Sequence, residues 1–273
     1  MSAGALVLVL CAAVMHASWN ALVAGARDSR ATTAVAAVLS VVLFAPAAVL
    51  TGGVGTRALP YVAGSAALHL IYFALLAAAY GGGELAVVYP VARGSAPVLV
   101  LVVGVLALGA GASAPQVAGV VMVALGVLLV RRSGRAAARD VGFGLAVGAC
   151  IAAYTLVDNA GMTYARPLAY LELLLIVPAF VYAAGLWATG MGPALRSAVR
   201  PSTLVVAVFV FGAYALVLAA LRIAPAAPVA AVRESSVVFG TLMAAVFLGE
   251  EVGARRIVGS SLVFAGVVAV ALG

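Results

Sequence analysis

The chain has 273 residues, 66% hydrophobic and 8% charged. Those proportions exclude a soluble globular domain, which carries about 25% charged residues, and a disordered chain, which needs low hydrophobicity and high charge. The net charge of +7 comes from fifteen arginines and no lysine. The arginines stand singly or in small groups between apolar runs, so nucleic-acid binding is not expected. Cys11 and Cys150 lie inside apolar runs and read as small buried hydrophobes, with no disulfide or metal site.

A bilayer-spanning helix takes about 20 apolar residues, so ten spans and short connections fill this length. Apolar runs broken by Gly, Pro and Arg predict an all-α integral membrane protein of ten transmembrane helices. They fall near 4–24, 32–51, 59–80, 84–107, 114–130, 141–159, 168–189, 202–222, 226–248 and 255–272. The first lacks a basic leading region and is expected to stay in the mature fold rather than act as a signal peptide. Gly81 to Gly83 is so short that the third and fourth helices must form an antiparallel hairpin, with Glu84 capping the fourth. The polar stretch from Arg131 to Asp140 is the natural midpoint linker.

An internal repeat appears at an offset of 140. It superposes Arg93 on Arg233, Ser95 on Ser235, Leu108–Gly109 on Leu248–Gly249, Gly119 on Gly259, and Gly126 on Gly266. Near the start of each half the offset is 138, where His16 meets Tyr154 and Asn20 meets Asp158. The expected units are therefore 1–130 and 141–273, joined by 131–140. Five helices per unit is an odd number, so the second unit enters the membrane from the opposite side, an inverted-topology repeat typical of secondary transporters. Ten arginines fall in the connections on one side and three (Arg57, Arg166, Arg222) on the other. The richer side is expected in the cytoplasm, with both termini outside.

Arg93 sits roughly 15 Å deep in the fourth predicted helix. An arginine there costs roughly 2.5–3.5 kcal/mol even on lenient insertion scales, so it must face protein or a watery cavity. With its repeat mate Arg233 it reads as a holder of a substrate carboxylate, or as one half of a structural ion pair. The first half has no deep acid, so the counter-charge must come from Asp158, Glu172 or Glu234, or from substrate or water. Glu234 adjoins Arg233 but does not face it on a helix. Asp158 and Glu172 read as interfacial by position, and any of the three acids could accept a proton, leaving proton coupling open.

His16, Trp19 and Asn20 share one helical face and could shape a substrate mouth, with Trp19 equally an interfacial anchor. Tyr72, Tyr154 and Tyr214, with His69 and Tyr80, read as cavity walls or packed core, since a tyrosine in a span needs a hydrogen-bond partner. Pro90 and Pro97 with Gly94 between them make the fourth helix a candidate gate or a static kink. Gly119/Gly126 and Gly259/Gly266 each mark one small-residue face, which reads as helix packing and leaves a homodimer open.

The stretches VYPVARGSAPVLVLVVGVLALG (88–109) and APVAAVRESSVVFGTLMAAVFLGEE (227–251) resemble the ends of EamA-type halves. The opening MHASWNALV (15–23) and the glycine pairs fit the same family, in the drug/metabolite transporter superfamily. The resemblance covers essentially the whole chain. It implies a ten-helix carrier with a central cavity, commonly exporting amino acids or other small metabolites. Two departures stand out. The Gly-Glu after the fourth helix of each half is present at Gly249–Glu250 but replaced by Gly109–Ala110 in the first half. Family members also commonly keep both termini in the cytoplasm, against the arginine count.

The expected function is thus a secondary transporter in the bacterial inner membrane, exporting small polar or anionic metabolites by alternating access, without a cofactor. An importer or a passive channel remains the alternative. No clustered metal ligands, nucleophile motif or phosphate loop favours an enzyme.

Overall fold

The fold comes from a computed structural model that describes residues 1–80, 85–130, 138–248 and 253–273. The 81–83 hairpin, Glu84, most of the 131–140 linker and Gly249–Glu250 lie outside the described residues. Within them the chain is all-helical. The helices are α1 (Ala3–Ala24), α2 (Ser29–Leu50), α3 (Leu59–Tyr80), α4 (Leu85–Leu106), α5 (Ala114–Val130) and α6 (Ala138–Gly161). They continue with α7 (Pro167–Leu186), α8 (Gly192–Ser197), α9 (Pro201–Leu221), α10 (Ala226–Arg233), α11 (Ser236–Leu248) and α12 (Ala254–Leu272).

Local chemistry explains where these helices begin. The Asp28 carboxylate accepts from the Ala31 N–H at 2.9 Å and caps α2. Ser113 and Gln116 form a reciprocal capping box at the start of α5, with bonds of 3.1 and 3.3 Å. Prolines at 167 and 201 open α7 and α9, where a missing N–H costs nothing.

Seven helical stretches are long and apolar enough to cross a membrane: Ala3–Ala24, Ser29–Leu50, Thr56–Leu76, Val87–Leu106, Ala138–Gly161, Pro167–Ser197 and Pro201–Leu221. The apolar helices Ala114–Leu129 and Ile257–Leu272 are shorter. Three sequence-based boundaries need correction. The single helix expected over 226–248 is two, because the chain tightens at Glu234–Ser235 into a run of i→i−3 bonds. The helix expected to end at 189 runs on to Ser197 through a π-turn, where Gly190 takes a φ of 86° open to glycine. The last three residues of the expected linker, through Asp140, already belong to α6.

Small side chains set the helix spacing. Alanine and valine dominate the buried set. The closest approach is between α5 and α12. A Cβ at Gly119 would lie 2.6 Å from the Gly266 carbonyl oxygen, and one at Gly126 would lie 2.6 Å from that of Gly259. Hydrocarbon solvent offers apolar helices no gain on burial, so such backbone contact supplies the cohesion. This glycine face of α12 is occupied by α5 of the same chain. The helices α4 and α6 also meet closely, with Gly144 against Val88 and Val91 and Gly148 against Ala92 and Ser95. Elsewhere α1 packs on α9, α2 on α7 and α9, and α3 on α6 and α7.

Contacts between connections define one end of the bundle. The Arg166 guanidinium donates to the Thr51 carbonyl at 2.5 Å, and Tyr61 stacks on Tyr164. The Ser113 hydroxyl donates to the Gly273 carbonyl at 3.3 Å, closing α5 against the end of α12.

Candidate functional site

Arg93 lies about two turns into α4 and is 4% exposed. Its Nε stands 2.9 Å from Glu234 Oε2, and its Nη2 donates to Ser236 Oγ at 2.9 Å. Both partners come from the α10–α11 junction. Glu234 is the C-cap of α10 and Ser236 begins α11, so the tightening at 234–235 brings an acid and a hydroxyl to the same guanidinium. The counter-charge of Arg93 is therefore Glu234, also buried.

Arg233 points elsewhere. Its guanidinium sits over the Tyr214 ring, 5.3 Å from the centroid, a cation–π contact. The Tyr214 hydroxyl donates to Asp158 Oδ2, and the Tyr170 hydroxyl donates to Asp158 Oδ1 at 2.8 Å. Asp158 is fully buried, which corrects its placement at the interface. Glu172, one turn into α7, is buried too, and its Oε2 has no hydrogen-bond partner. The His69 ring stacks on Tyr154 at 4.4 Å and meets Tyr214 edge-on at 5.8 Å. Its Nδ1 donates to the Ser65 carbonyl at 2.8 Å; a carbonyl only accepts, so the proton resides on Nδ1. Tyr72 joins this cluster edge-on to Tyr154, 6.4 Å away.

The α1 trio divides. His16 lies within electrostatic reach of both Arg93 and Arg233, and its Nε2 is buried with no hydrogen-bond partner. Trp19 meets His16 edge-on at 5.1 Å and packs with Val23, Ala36 and Val206. The Asn20 amide donates to the His16 carbonyl at 2.7 Å, so its N–H is engaged within α1. In α4 the helix runs through Pro90 and Pro97. A Cβ at Gly94 would come 3.2 Å from the Ala124 carbonyl, so this glycine seats α4 against α5.

Two hollows run beside these groups. One of about 240 Å³ lies near the 113/273 end, lined by residues such as Leu101, Gln116, Asn159 and Pro225. A narrow cleft holds Pro97, Thr155, Val229, Arg233 and Glu234, and Val100 borders both. Ser65, Tyr170 and Ser236 were not singled out by the sequence. Their signal was faint: Ser65 precedes His69 by one helical turn, and a buried acid requires hydroxyl donors from somewhere.

These features define a polytopic helical membrane protein with a charged centre. Residues 140–272 match the model of the EamA-like transporter family, which belongs to the drug/metabolite transporter superfamily. Members of that family are transporters rather than enzymes. Solved structures share the fold. In one crystal structure, 16% identical in sequence, the alignment covers 100% of this chain and 99% of that chain at a TM-score of 0.76. No curated protein matches.

Proposed function

We propose that the protein is a secondary carrier that exports small carboxylate-bearing metabolites, amino acids among them, by alternating access around the Arg93–Glu234 centre. The observation that carries this reading is the pair of repeat-related arginines. Arg93 is held by Glu234 and Ser236, while Arg233 rests on the Tyr214 ring and hydrogen-bonds Tyr154, with Glu234 within electrostatic reach but not ion-paired to it. A guanidinium set on a ring offers its N–H fork to a planar carboxylate.

An inverted repeat of ten spans supports rocking of one half on the other. The helix contacts support this reading: α1 on α9 would match α6 on α3, α2 on α9 would match α7 on α3, and α1 on α10–α11 would match α6 on α4. The contacts Gly119 to Gly266 and Gly126 to Gly259 exchange under the same operation. On this reading α10 and α11 form one span and α7 and α8 another, and the shorter α5 and α12 also cross, for ten in all.

The test is release. Cells overexpressing the chain are expected to release at least one carboxylate-bearing metabolite several-fold faster than control cells, with saturation. Faster uptake in place of release would reverse the direction. Flux that does not saturate in liposomes would replace the carrier with a channel.

The arginine asymmetry supports outward-facing termini in a bacterial inner membrane. A C-terminal alkaline phosphatase fusion is accordingly expected to be active, and a C-terminal green fluorescent protein fusion dark. The opposite pair of results would invert the orientation.

A further inference from the structure

We propose that Asp158 is a proton-binding site whose occupancy sets how strongly Arg233 holds an anionic group, with Tyr214 as the link. The anion side of this proposal rests on the carrier reading above; the proton side does not.

The two buried acids at the centre are held in different ways. Glu234 faces Arg93, a permanent cation that only donates, so a proton on Glu234 would lose its partner. Asp158 instead faces hydroxyls. Tyr170 comes from α7 and Tyr214 from α9, both donating to the carboxylate, with Ser65 of α3 beside it. A hydroxyl can turn from donor to acceptor without moving its oxygen. A proton arriving on Asp158 therefore finds an acceptor in place, and the network serves both states of the acid. His69 of α3 stands next to Asp158, Tyr154 of α6 hydrogen-bonds Arg233 and lies within electrostatic reach of Asp158, and Arg233 of α10 lies over the Tyr214 ring. Arg93 of α4 is turned to Glu234.

Tyr214 is engaged twice. Its face carries the Arg233 guanidinium and its hydroxyl holds the Asp158 carboxylate. One ring thus separates a cation from an anion. With Asp158 ionised, its charge offsets that of Arg233. With Asp158 protonated, the Arg233 charge is left over, and an anion is drawn to it. Linkage makes the effect reciprocal: an anion on Arg233 tightens the proton on Asp158 by the same factor. A monoanion and a proton then share one occupied carrier, and the loaded form gains no net charge. Export of this kind is electrically neutral, and the metabolite's outward gradient must exceed the inward pH gradient against which the proton leaves.

The experiment is infrared titration of the full chain in lipid nanodiscs, with no ligand added. A protonated-carboxyl band is expected to grow as the pH falls and to vanish in Asp158→Asn. In Arg233→Gln the same band is expected to titrate at least about one pH unit higher, a tenfold gain in proton affinity. In Tyr170→Phe, which removes one hydroxyl partner, its frequency is expected to move. A titration that Arg233→Gln leaves unchanged would overturn the link. A band that neither Asp158→Asn nor Tyr170→Phe alters would overturn the site, and the Tyr170→Phe arm decides if Asp158→Asn does not fold. Because no transport is measured, failure here leaves the carrier reading standing, and absence of metabolite flux would leave this result standing.

Discussion

Arg93→Ala is expected to abolish saturable transport and to destabilise the protein at once. The substitution leaves Glu234 ionised and buried without its cation. Removing one partner of a buried pair costs about 3–5 kcal/mol. Arg93→Ala with Glu234→Leu is then expected to recover much of that stability, since no unpaired charge remains, while transport stays absent. The pair of results separates a group that binds substrate from one that only holds the bundle together. Arg93→Lys keeps a charge but not the planar fork that reaches Glu234 and Ser236 together, so an intermediate rate is expected. The measurements are thermal unfolding in detergent and flux in liposomes at matched protein. Normal flux in Arg93→Ala would remove this arginine from the transport site.

Gly126→Val is expected to be the most damaging change far from any charged group. Its Cβ would fall 2.6 Å from the Gly259 carbonyl oxygen and 2.8 Å from the Val263 nitrogen. Both obstacles are backbone, so no rotamer change relieves them and α5 must part from α12. Overpacking a well-filled interior costs about 1–3 kcal/mol, and the upper end applies where the backbone itself must shift. Gly142→Val is the matched control, because nothing lies within 4 Å of a Cβ there. The yield of monodisperse protein and its unfolding midpoint should fall sharply for the first variant and little for the second. Equal behaviour of the two would mean that α5 and α12 do not meet at the glycines.

The depth of Arg93 was legible because a charge in the middle of an apolar run has few places to go. Lipid excludes it, so a polar centre had to exist, with its counter-charge drawn from three acids, from substrate or from water. Which acid it was depended on the turn at Glu234–Ser235. No glycine or proline marks that turn, and a local pattern of apolar residues cannot report it. Asp158 misled for a related reason. It lies three residues from the end of α6, a position that suggests water. Its burial comes from Tyr170 and Tyr214 on helices that follow later in the chain. The glycine pairs were the reverse case. Seven-residue spacing put each pair on one face, but spacing alone says nothing about the face opposite, and Gly119 meets Gly266 rather than its own repeat mate.

The tightened turn between α10 and α11 has a mechanical meaning. Glu234, Ser235, Val237 and Val238 all donate to carbonyls three residues back. Chain wound in this way advances about 2.0 Å and turns about 120° per residue, against about 1.5 Å and 100° in an α-helix. Over four residues the difference comes to about 80° of rotation and about 2 Å of length. A change of winding at this junction, which lies at the level of the ion pair, is therefore converted directly into rotation of α11. Rewinding it as α-helix would screw α11 about its own axis while α10 stayed still. Ser236, which Arg93 now grips, would swing away with it.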